Sequence, residues 1–434
     1  MRDNYENFKR MWDMNSLIVL DTNVLLRLYS LSPKAINQAL TILNSSKSKI
    51  WLPAQVVKEF NDNHKKEQSR NFKKYDDFLK SIRNVIEKTR YSLEGDFIKY
   101  QEFDYPFLTE FKKRINDSIK EMQEAAGMYE KDIKNEIEIN ARTLHDDEIN
   151  MFLVGIIESG ATGKPFTLAK LISIIQEGEI RYKHLIPPGF EDIKKDHDDA
   201  SKQRKYGDLI LWKQTLIKAK AEAKALIFVT NDIKQDWWKF ENKKPIEARP
   251  ELTDEFRDEV EKDFIMISGA NFISYVSEMN DIDDKQAYLE LFSTEMCQDI
   301  FQNEDWKPLL LDKIDMYLSL GGDLDQYIGN ALLYKVDIIG VDDELIEMLM
   351  VKGIHIDKEK AHIQGQFTIQ VELTADTSIF TGYTVHSAKG MCTVDVTFSV
   401  EFELETYEKK EHYKKGTVDF DFAGFKVITY VEFD

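Results

Sequence analysis

The sequence predicts a mainly parallel α/β domain that carries an inserted helical arm and is followed by an α+β domain. Three features lead there. Short apolar runs alternate with helix-like segments up to about residue 280; a polar stretch of both charge signs interrupts them from about 61 to 142; and after Met279 that alternation ceases. The expected boundaries are 1–282 for the first domain and 283–434 for the second.

Taken in order, SLIVL (Ser16 to Leu20) reads as a buried strand that delivers Asp21 to a strand-to-helix turn, with NVLLRLY as the helix. A second strand, Lys49 to Leu52, runs into PAQVVKEF, where Pro53 suits a first helical turn and Glu59 sits early in the new helix. The 61–142 stretch has few apolar anchors for its length and reads as a projecting helical arm. INMFLVGII and LAKLISII are amphipathic helices, followed by the Pro- and charge-rich loop RYKHLIPPGFEDIKKDHDDASKQRK. A helix starting at Gly207 places Asp208 in its first turn. ALIFVT is a strand with Asn231 and Asp232 at its carboxyl end, and Asp236 then precedes Trp237 and Trp238 on a predicted helix. Phe264 to Ser268 is a further strand leading into NFISYVSEM. DIDDKQ is a linker, helical segments are expected to about Met350, and FTIQVELTA, VDVTFSVEFELE and VDFDFAGFKVITYVEF are strands.

The totals narrow the function classes. Cys297 and Cys392 are the only cysteines, too few for a disulfide framework or a Cys-rich zinc site, which points to a reducing cytoplasm. No apolar run approaches the roughly 20 residues of a membrane helix, and MRDNYENFKRMWDMN lacks a signal-like apolar core, so no membrane association is expected. A net charge of −20 argues against a general nucleic-acid coat but leaves room for a local basic track beside an acidic pocket. From Lys65 to Arg90 there are nine Lys or Arg against four acids, so Lys65, Lys66, Arg70, Lys73 and Lys74 are candidate phosphate contacts.

Asp21, Asp208 and Asp232 fall just past strand ends or at helix starts, where open α/β sheets place their sites. Any one acid there can be a helix cap. Several together form an oxygen-rich set suited to Mg²⁺ or Mn²⁺, and two such ions about 3.5–4 Å apart can drive phosphodiester hydrolysis.

LDTNVLL (Leu20 to Leu26), LPAQVVKEF (Leu52 to Phe60), YGDLILW (Tyr206 to Trp212) and FVTNDIKQDWW (Phe228 to Trp238) together resemble the PIN-like domain family in its larger bacterial branch, over roughly residues 10–280. The resemblance implies a three-layer α/β/α sandwich acting as a Mg²⁺- or Mn²⁺-dependent endonuclease. RNA is favoured over DNA as substrate, in a toxin-like or antiviral defence role. It implies Asp21, Glu59, Asp208 and Asp232 as metal ligands or water-positioning groups. Thr230 and Asn231 would orient Asp232, Asn23 would orient Asp21, and Asp236 is an auxiliary candidate. Arg181, Asp192 and Lys195 belong to the same branch pattern and are candidates for substrate contact, with a purely structural loop as the alternative. The tryptophans read as core.

Competing classes are weaker. A haloacid-dehalogenase-type phosphatase needs a second acid where Asn23 stands. The doublets His145-Asp146 and His197-Asp198 lack further spaced histidines, and GATGKPFT departs twice from a P-loop. The remaining alternative is a non-catalytic PIN-like module that binds nucleic acid or protein. For the carboxyl-terminal domain, mostly acidic apart from Lys409, Lys410, Lys414 and Lys415, a protein partner or self-association is expected.

Overall fold

The computed structural model describes residues 2–101, 107–144, 147–197, 203–241, 244–301, 308–309, 311, 332–342, 349–357, 360–378, 385–404 and 416–433. His145, Asp146, Asp198, the four C-terminal lysines, and the side chains of Lys74, Lys195 and His197 lie outside the described residues. The chain forms two compact units, Met1–Asp284 and Lys285–Asp434.

The first unit is built on three strands, β1 (Leu17–Leu20), β2 (Leu226–Val229) and β5 (Phe264–Ile267), in the order β1-β2-β5 and all parallel. Every residue of β1 and β2 is buried. Since alternate side chains point to opposite faces, both faces must be covered, as a parallel sheet among helices requires. The covering helices are α1 (Arg2–Asp13), α2 (Thr22–Leu28), α3 (Pro33–Ser45), α4 (Ala54–Gln101), α6 (Glu148–Glu158), α7 (Leu168–Lys183), α8 (Gly207–Glu222), α9 (Pro250–Val260) and α10 (Gly269–Asn280). Local chemistry fixes several starts. Ser32 caps α3 with Pro33 in its first turn, and the Ser268 hydroxyl accepts the Asn271 N–H at 3.1 Å to open α10. Charged as it is, α1 buries Phe8 and Met11 completely, and the Phe8 ring meets Phe272 and Tyr275 of α10.

Two sequence expectations for the first unit need correction. Lys49 to Leu52 is not a strand. Lys47–Lys49 forms a 3₁₀ turn, and Ile50 and Leu52 make only isolated bridges to Ile18 and Thr162. The three residues left before Pro53, which has no N–H, give a ladder no room to grow. Nor does Asp236 lie on a helix. It sits in a turn entering a hairpin of β3 (Trp238–Glu241) and β4 (Lys244–Ala248). Glu59 and the first half of the expected arm share the one 48-residue helix α4. α4 is paired with α5 (Leu108–Leu144) through Ile86, Ile119 and Ala126, with Leu93 and Ile115 at the margin. An Arg83–Glu130 ion pair and a Gln123–Glu87 hydrogen bond of 2.9 Å cross the same seam.

The second unit pairs α11 (Lys285–Phe301) with an antiparallel sheet of β6 (Leu332–Asp342), β7 (Met350–Asp357), β8 (Lys360–Ser378), β9 (Val385–Glu403) and β10 (Thr417–Phe433). β8 pairs with β9 along its whole length, and β6 and β7 share its other edge. Burial alternates with period two: Ala361, Ile363, Phe367, Ile369 and Val371 on β8, and Val394, Val396, Phe398, Val400 and Phe402 on β9. Phe301 packs onto Phe367, Phe398 and Phe420 of this face. The strands start well before Met350, against the helical expectation. LLYKVDIIGVD is rich in β-branched and aromatic residues, which fit a pleated, half-buried surface.

Candidate active site

Because the three strands of the first unit run parallel, their carboxyl ends open on one edge, and the loops there carry the candidate residues. Asp21 follows β1 at the N-cap of α2, in extended backbone, but its side chain does not cap the helix. It is only 6% exposed. Its Oδ2 accepts from the Thr230 hydroxyl at 2.7 Å and from the Asn23 amide at 2.5 Å. Burial above all pushes this carboxyl up to about 7; the Thr230 hydrogen bond opposes the shift, and the charges of Glu59 and Asp232 add to it. Glu59 and Asp232 therefore each lie within electrostatic reach of Asp21.

Glu59, in the second turn of α4, accepts from the Thr22 hydroxyl at 3.0 Å and from the Gln55 amide at 2.7 Å. It also meets the start of α8. A Cβ on Gly207 would lie 2.8 Å from Glu59 Oε1, so any larger residue there would push the Glu59 carboxylate aside. The next residue is Asp208, whose Oδ2 accepts from the Trp237 indole N–H at 3.3 Å. Asp232 follows β2. Its backbone N–H donates to Thr230 Oγ1 at 3.0 Å, and its carboxylate accepts from the Lys234 ammonium at 2.6 Å.

Thr230, Asn231 and Asn23 bind the strand ends together. Asn23 Oδ1 accepts the Asn231 N–H at 2.8 Å, and Asn231 Oδ1 accepts the Gly269 N–H at 2.9 Å. Thr230 Oγ1 lies between the carboxylate of Asp21 and the backbone of Asp232, donating to one and accepting from the other. The residues after β1, β2 and β5 are thus one connected frame.

The loop before α8 contributes a further layer. Asp192 is buried and accepts from Lys234 Nζ at 2.9 Å. Asp236 is fully buried. Its Oδ2 accepts the N–H groups of Gly189 and Glu191, each at 3.1 Å, while Oδ1 has no hydrogen-bond partner. Burial first raises its pKa to about 6; the Glu191 N–H and Lys234 pull against this, and Asp232 and Asp192 reinforce it. Gly189 has φ +93° and lies where a Cβ would stand 2.4 Å from the Tyr182 hydroxyl and 3.2 Å from Asp208 Cβ. Burial, then Asp208, Asp192 and Asp236, hold the Tyr182 phenol well above its ordinary range.

Arg181 stands apart from this group. Its guanidinium pairs with Glu255 and with Glu177 at 2.7 Å and donates to the Pro187 carbonyl at 2.6 Å, while Trp212 and Lys213 also bind Glu255. Nε, Nη1 and Nη2 all donate inside the fold, which favours the structural alternative over a phosphate contact. Lys65, Lys66, Arg70 and Lys73 are exposed on α4, and Arg70 approaches Glu67 at 3.9 Å. Trp237 and Trp238 are buried rather than offered to bases. Trp237 stacks on Phe228 with centroids 5.0 Å apart, and the Trp238 N–H donates to the Asp232 carbonyl.

Sequence reading missed Lys234, Gln55, Thr22, Gly189 and Gly207. Only Lys234 left a usable signal, a single cation flanked by Asp232 and Asp236 in a loop. Among the described residues no group of three or more His, Cys, Asp or Glu side chains stands ready to hold a metal ion. Each carboxylate is turned to a protein donor instead. The donor chemistry nevertheless suits a hard divalent cation, because all the candidate ligands are carboxylates and Asp21 is buried with the charges of Glu59 and Asp232 nearby.

No helix among the described residues is long and apolar enough to cross a membrane. Compared with known proteins, residues 17–252 match the family model of the PIN like domain, a family generally of nucleases. The comparisons with curated proteins and with solved structures gave no match.

Proposed function

The chain belongs to the PIN-like domain family, whose model covers more than half of it, and on that premise we propose that residues 1–284 form a cytoplasmic, metal-dependent endonuclease, RNA being favoured over DNA. The observation that carries the reading is the buried Asp21 carboxylate at the carboxyl edge of the sheet, fixed by Thr230 and Asn23 with Glu59 and Asp232 nearby. Asp21, Glu59 and Asp232, with Asp208 next to the Glu59–Gly207 contact, would hold Mg²⁺ or Mn²⁺. When bound, the cation supplies a polarised water and charge stabilisation for the leaving oxygen. In the net reaction, water oxygen bonds to phosphorus, the phosphorus bond to one ester oxygen breaks, and that oxygen leaves carrying a proton. The Asn23–Asn231–Gly269 ladder and Thr230 keep Asp21 and Asp232 in register while this happens.

The direct test incubates the protein and Mn²⁺ with labelled RNA, single-stranded DNA and duplex panels, followed by mapping of product ends. Cleavage of RNA in preference to the DNA substrates supports the reading. Binding without cleavage would favour a non-catalytic PIN-like module instead. A toxin-like or antiviral role is proposed from the family's habits, and expression of wild-type against Asp21→Asn protein in a bacterial host, read as growth and phage plating, tests it.

The arm should contact substrate. Reversing Lys65, Lys66, Arg70, Lys73 and Lys74 to Glu should weaken nucleic-acid binding and flatten its dependence on salt, since each phosphate neutralised adds about 0.7–0.9 to the slope of log K against log salt. Equal affinity and slope in the reversed protein would remove the arm from recognition.

The second unit is assigned a protein partner or self-association. Truncation after Asp284 should leave metal-dependent cleavage while removing that association. Loss of cleavage in a soluble, folded truncation would show that the second unit completes the site.

A further inference from the structure

The helical arm has two unlike flanks. Its helices α4 and α5 run antiparallel, with Glu87 level with Gln123 and Phe97 level with Phe111, and Ile86, Ile119 and Ala126 line the seam between them. One flank of the seam is closed by charge. The ion pairs Arg83–Glu130, Lys134–Glu130 and Arg90–Glu87 and the Gln123–Glu87 hydrogen bond all lie along it. The opposite flank is apolar and open. Residues three or four apart share one side of a helix, which aligns Ile82, Val85, Thr89 and Ser92 on α4 and Ser118, Met122, Ala125 and Tyr129 on α5. All of these are exposed, Ile82 at 37%, Val85 at 58%, Met122 at 46% and Tyr129 at 41%. A stripe of residues that are either large and apolar or small suits helix packing and offers nothing to a phosphate. Its rims are charged in opposite order. Lys88 and then Asp96 stand exposed on this side of α4, and at the matching levels α5 exposes Glu121 and Arg114. Among the described residues Lys88, Asp96 and Glu121 have no ion pair, and Arg114 meets Glu110 of its own helix at 2.7 Å.

We propose that a second copy of this chain docks on the apolar flank, arm beside arm and pointing the same way, so that the two hairpins close a common core. A two-fold axis parallel to the arms lays α4 of one protomer on α5 of the other at unchanged height. Lys88 then faces Glu121 of the partner subunit, and Asp96 faces the partner's Arg114, with opposite charges at both levels. Ile82 and Val85 meet the partner's Tyr129 and the partner's Met122. With the arms opposed, pairing Lys88 with Asp96 of the partner subunit would slide Ile82 and Tyr129 off the partner's apolar stretch, so the parallel arrangement alone satisfies both. The pairing does not depend on the nuclease reading. At about 1.5 Å per residue, Val85 lies about 40 Å along α4 from Glu59, beyond the basic stretch of Lys65, Lys66, Arg70 and Lys73 assigned to nucleic acid. It is also separate from any association through the second unit.

The test joins sedimentation of the full-length protein to carbodiimide crosslinking, which couples an amine to a carboxylate in direct contact. A mixture of protein grown on light and on heavy nitrogen should yield a mixed-label peptide joining Lys88 to Glu121, and wild type should self-associate in sedimentation. Val85→Glu with Met122→Glu should weaken association by about thirtyfold or more and abolish that peptide. Both positions are exposed in the protomer, so the helical circular dichroism should be retained. Lys88→Glu and Glu121→Lys should each weaken association by about fivefold, and the two combined should restore it. A wild type that sediments as a monomer at every concentration would overturn the proposal, and loss of nucleic-acid binding by its flank variant would then give the flank to substrate. Persistence of the Lys88–Glu121 peptide in the Val85→Glu, Met122→Glu protein would overturn it as well. So would a mixed-label peptide joining Lys88 to Asp96 in place of Glu121.

Discussion

Replacing Asp21 with asparagine should reduce Mn²⁺-dependent cleavage by orders of magnitude while making the metal-free protein more stable at neutral pH. The first effect follows from removing a negative charge that balances a divalent cation, since the cation supplies both the nucleophile and the stabilisation of the leaving oxygen. The second follows from burial. A carboxyl pushed up to about 7 is held in the fold at the expense of folding once it ionises, and Glu59 and Asp232 add repulsion that asparagine does not feel. A helix cap predicts the reverse on both counts: cleavage near wild type, and a stability loss of about 0.5–2 kcal/mol. The structure already distances Asp21 from that role, because its side chain makes no capping hydrogen bond.

The same residue sets a pH dependence whose sign is fixed. Asp21 has a folded pKa near 7 and an ordinary value of 3.8, so between those limits the folded state binds the proton that the unfolded state has lost. Its contribution to stability is therefore complete below about pH 4 and disappears as pH rises through 7. At about 1.36 kcal/mol per pH unit, the loss is on the order of 4 kcal/mol. Urea denaturation of the metal-free protein from pH 4 to 8, compared with Asp21→Asn, isolates this contribution from the lowered carboxylates such as Glu255, which act in the opposite direction in both proteins. Asp236, raised to about 6, should leave the variant a residual slope of the same sign that ends earlier. Added Mn²⁺ should raise wild-type stability most at the alkaline end, by mass action on the native state, and do so much less in the variant. Parallel stability curves for the two proteins across this range would remove Asp21 from the acidic site.

What was legible in the sequence, and what was not, follows physical lines. The strands β1, β2 and β5 were readable because a strand buried on both faces must be an unbroken apolar run, and SLIVL, ALIFVT and FIMIS have no other easy reading. Asp21, Asp208 and Asp232 were readable as candidates because parallel strands put their carboxyl ends on one edge. Glu59 was visible as a site residue only through the LPAQVVKEF resemblance, since it lies in the second turn of a long helix and is held at the site by Thr22 and Gln55. The helix expected around Asp236 failed because DIKQDWW carries no cap or periodic face, and its conformation is dictated by long-range bonds to Gly189 and Glu191. Arg181 shows the same limit from the other side. Nothing local foretells that Glu255, far along the chain, will take up its guanidinium. In the second unit the apolar content of LLYKVDIIGVD was visible, but helix and strand are hard to separate in a run that short until the partner strand β8 fixes the register.

Trp237 should prove the most sensitive single position for stability in the first unit. It is fully buried, stacks on Phe228 of β2 with rings 14° apart, and presents its edge to Trp212 of α8 at 6.3 Å. Truncation to alanine opens a cavity between the central strand and α8, for which about 3–5 kcal/mol is the usual loss. The indole N–H has a second task, donation to Asp208 Oδ2 at 3.3 Å. Trp237→Phe separates the two. Phenylalanine keeps much of the aromatic packing and removes only the donor, which should cost about 1–2 kcal/mol from the smaller ring and the lost bond. If the donor positions Asp208 for the chemistry, cleavage by Trp237→Phe should fall further than its stability accounts for, with KM for substrate nearly unchanged and kcat reduced. Stability curves in urea and cleavage rates measured well below the unfolding midpoint, on the same preparations, decide it. A Phe variant with wild-type kcat would leave Trp237 a packing residue alone. An Ala variant within about 1 kcal/mol of wild type would contradict the packing of Trp237 between Phe228 and Trp212.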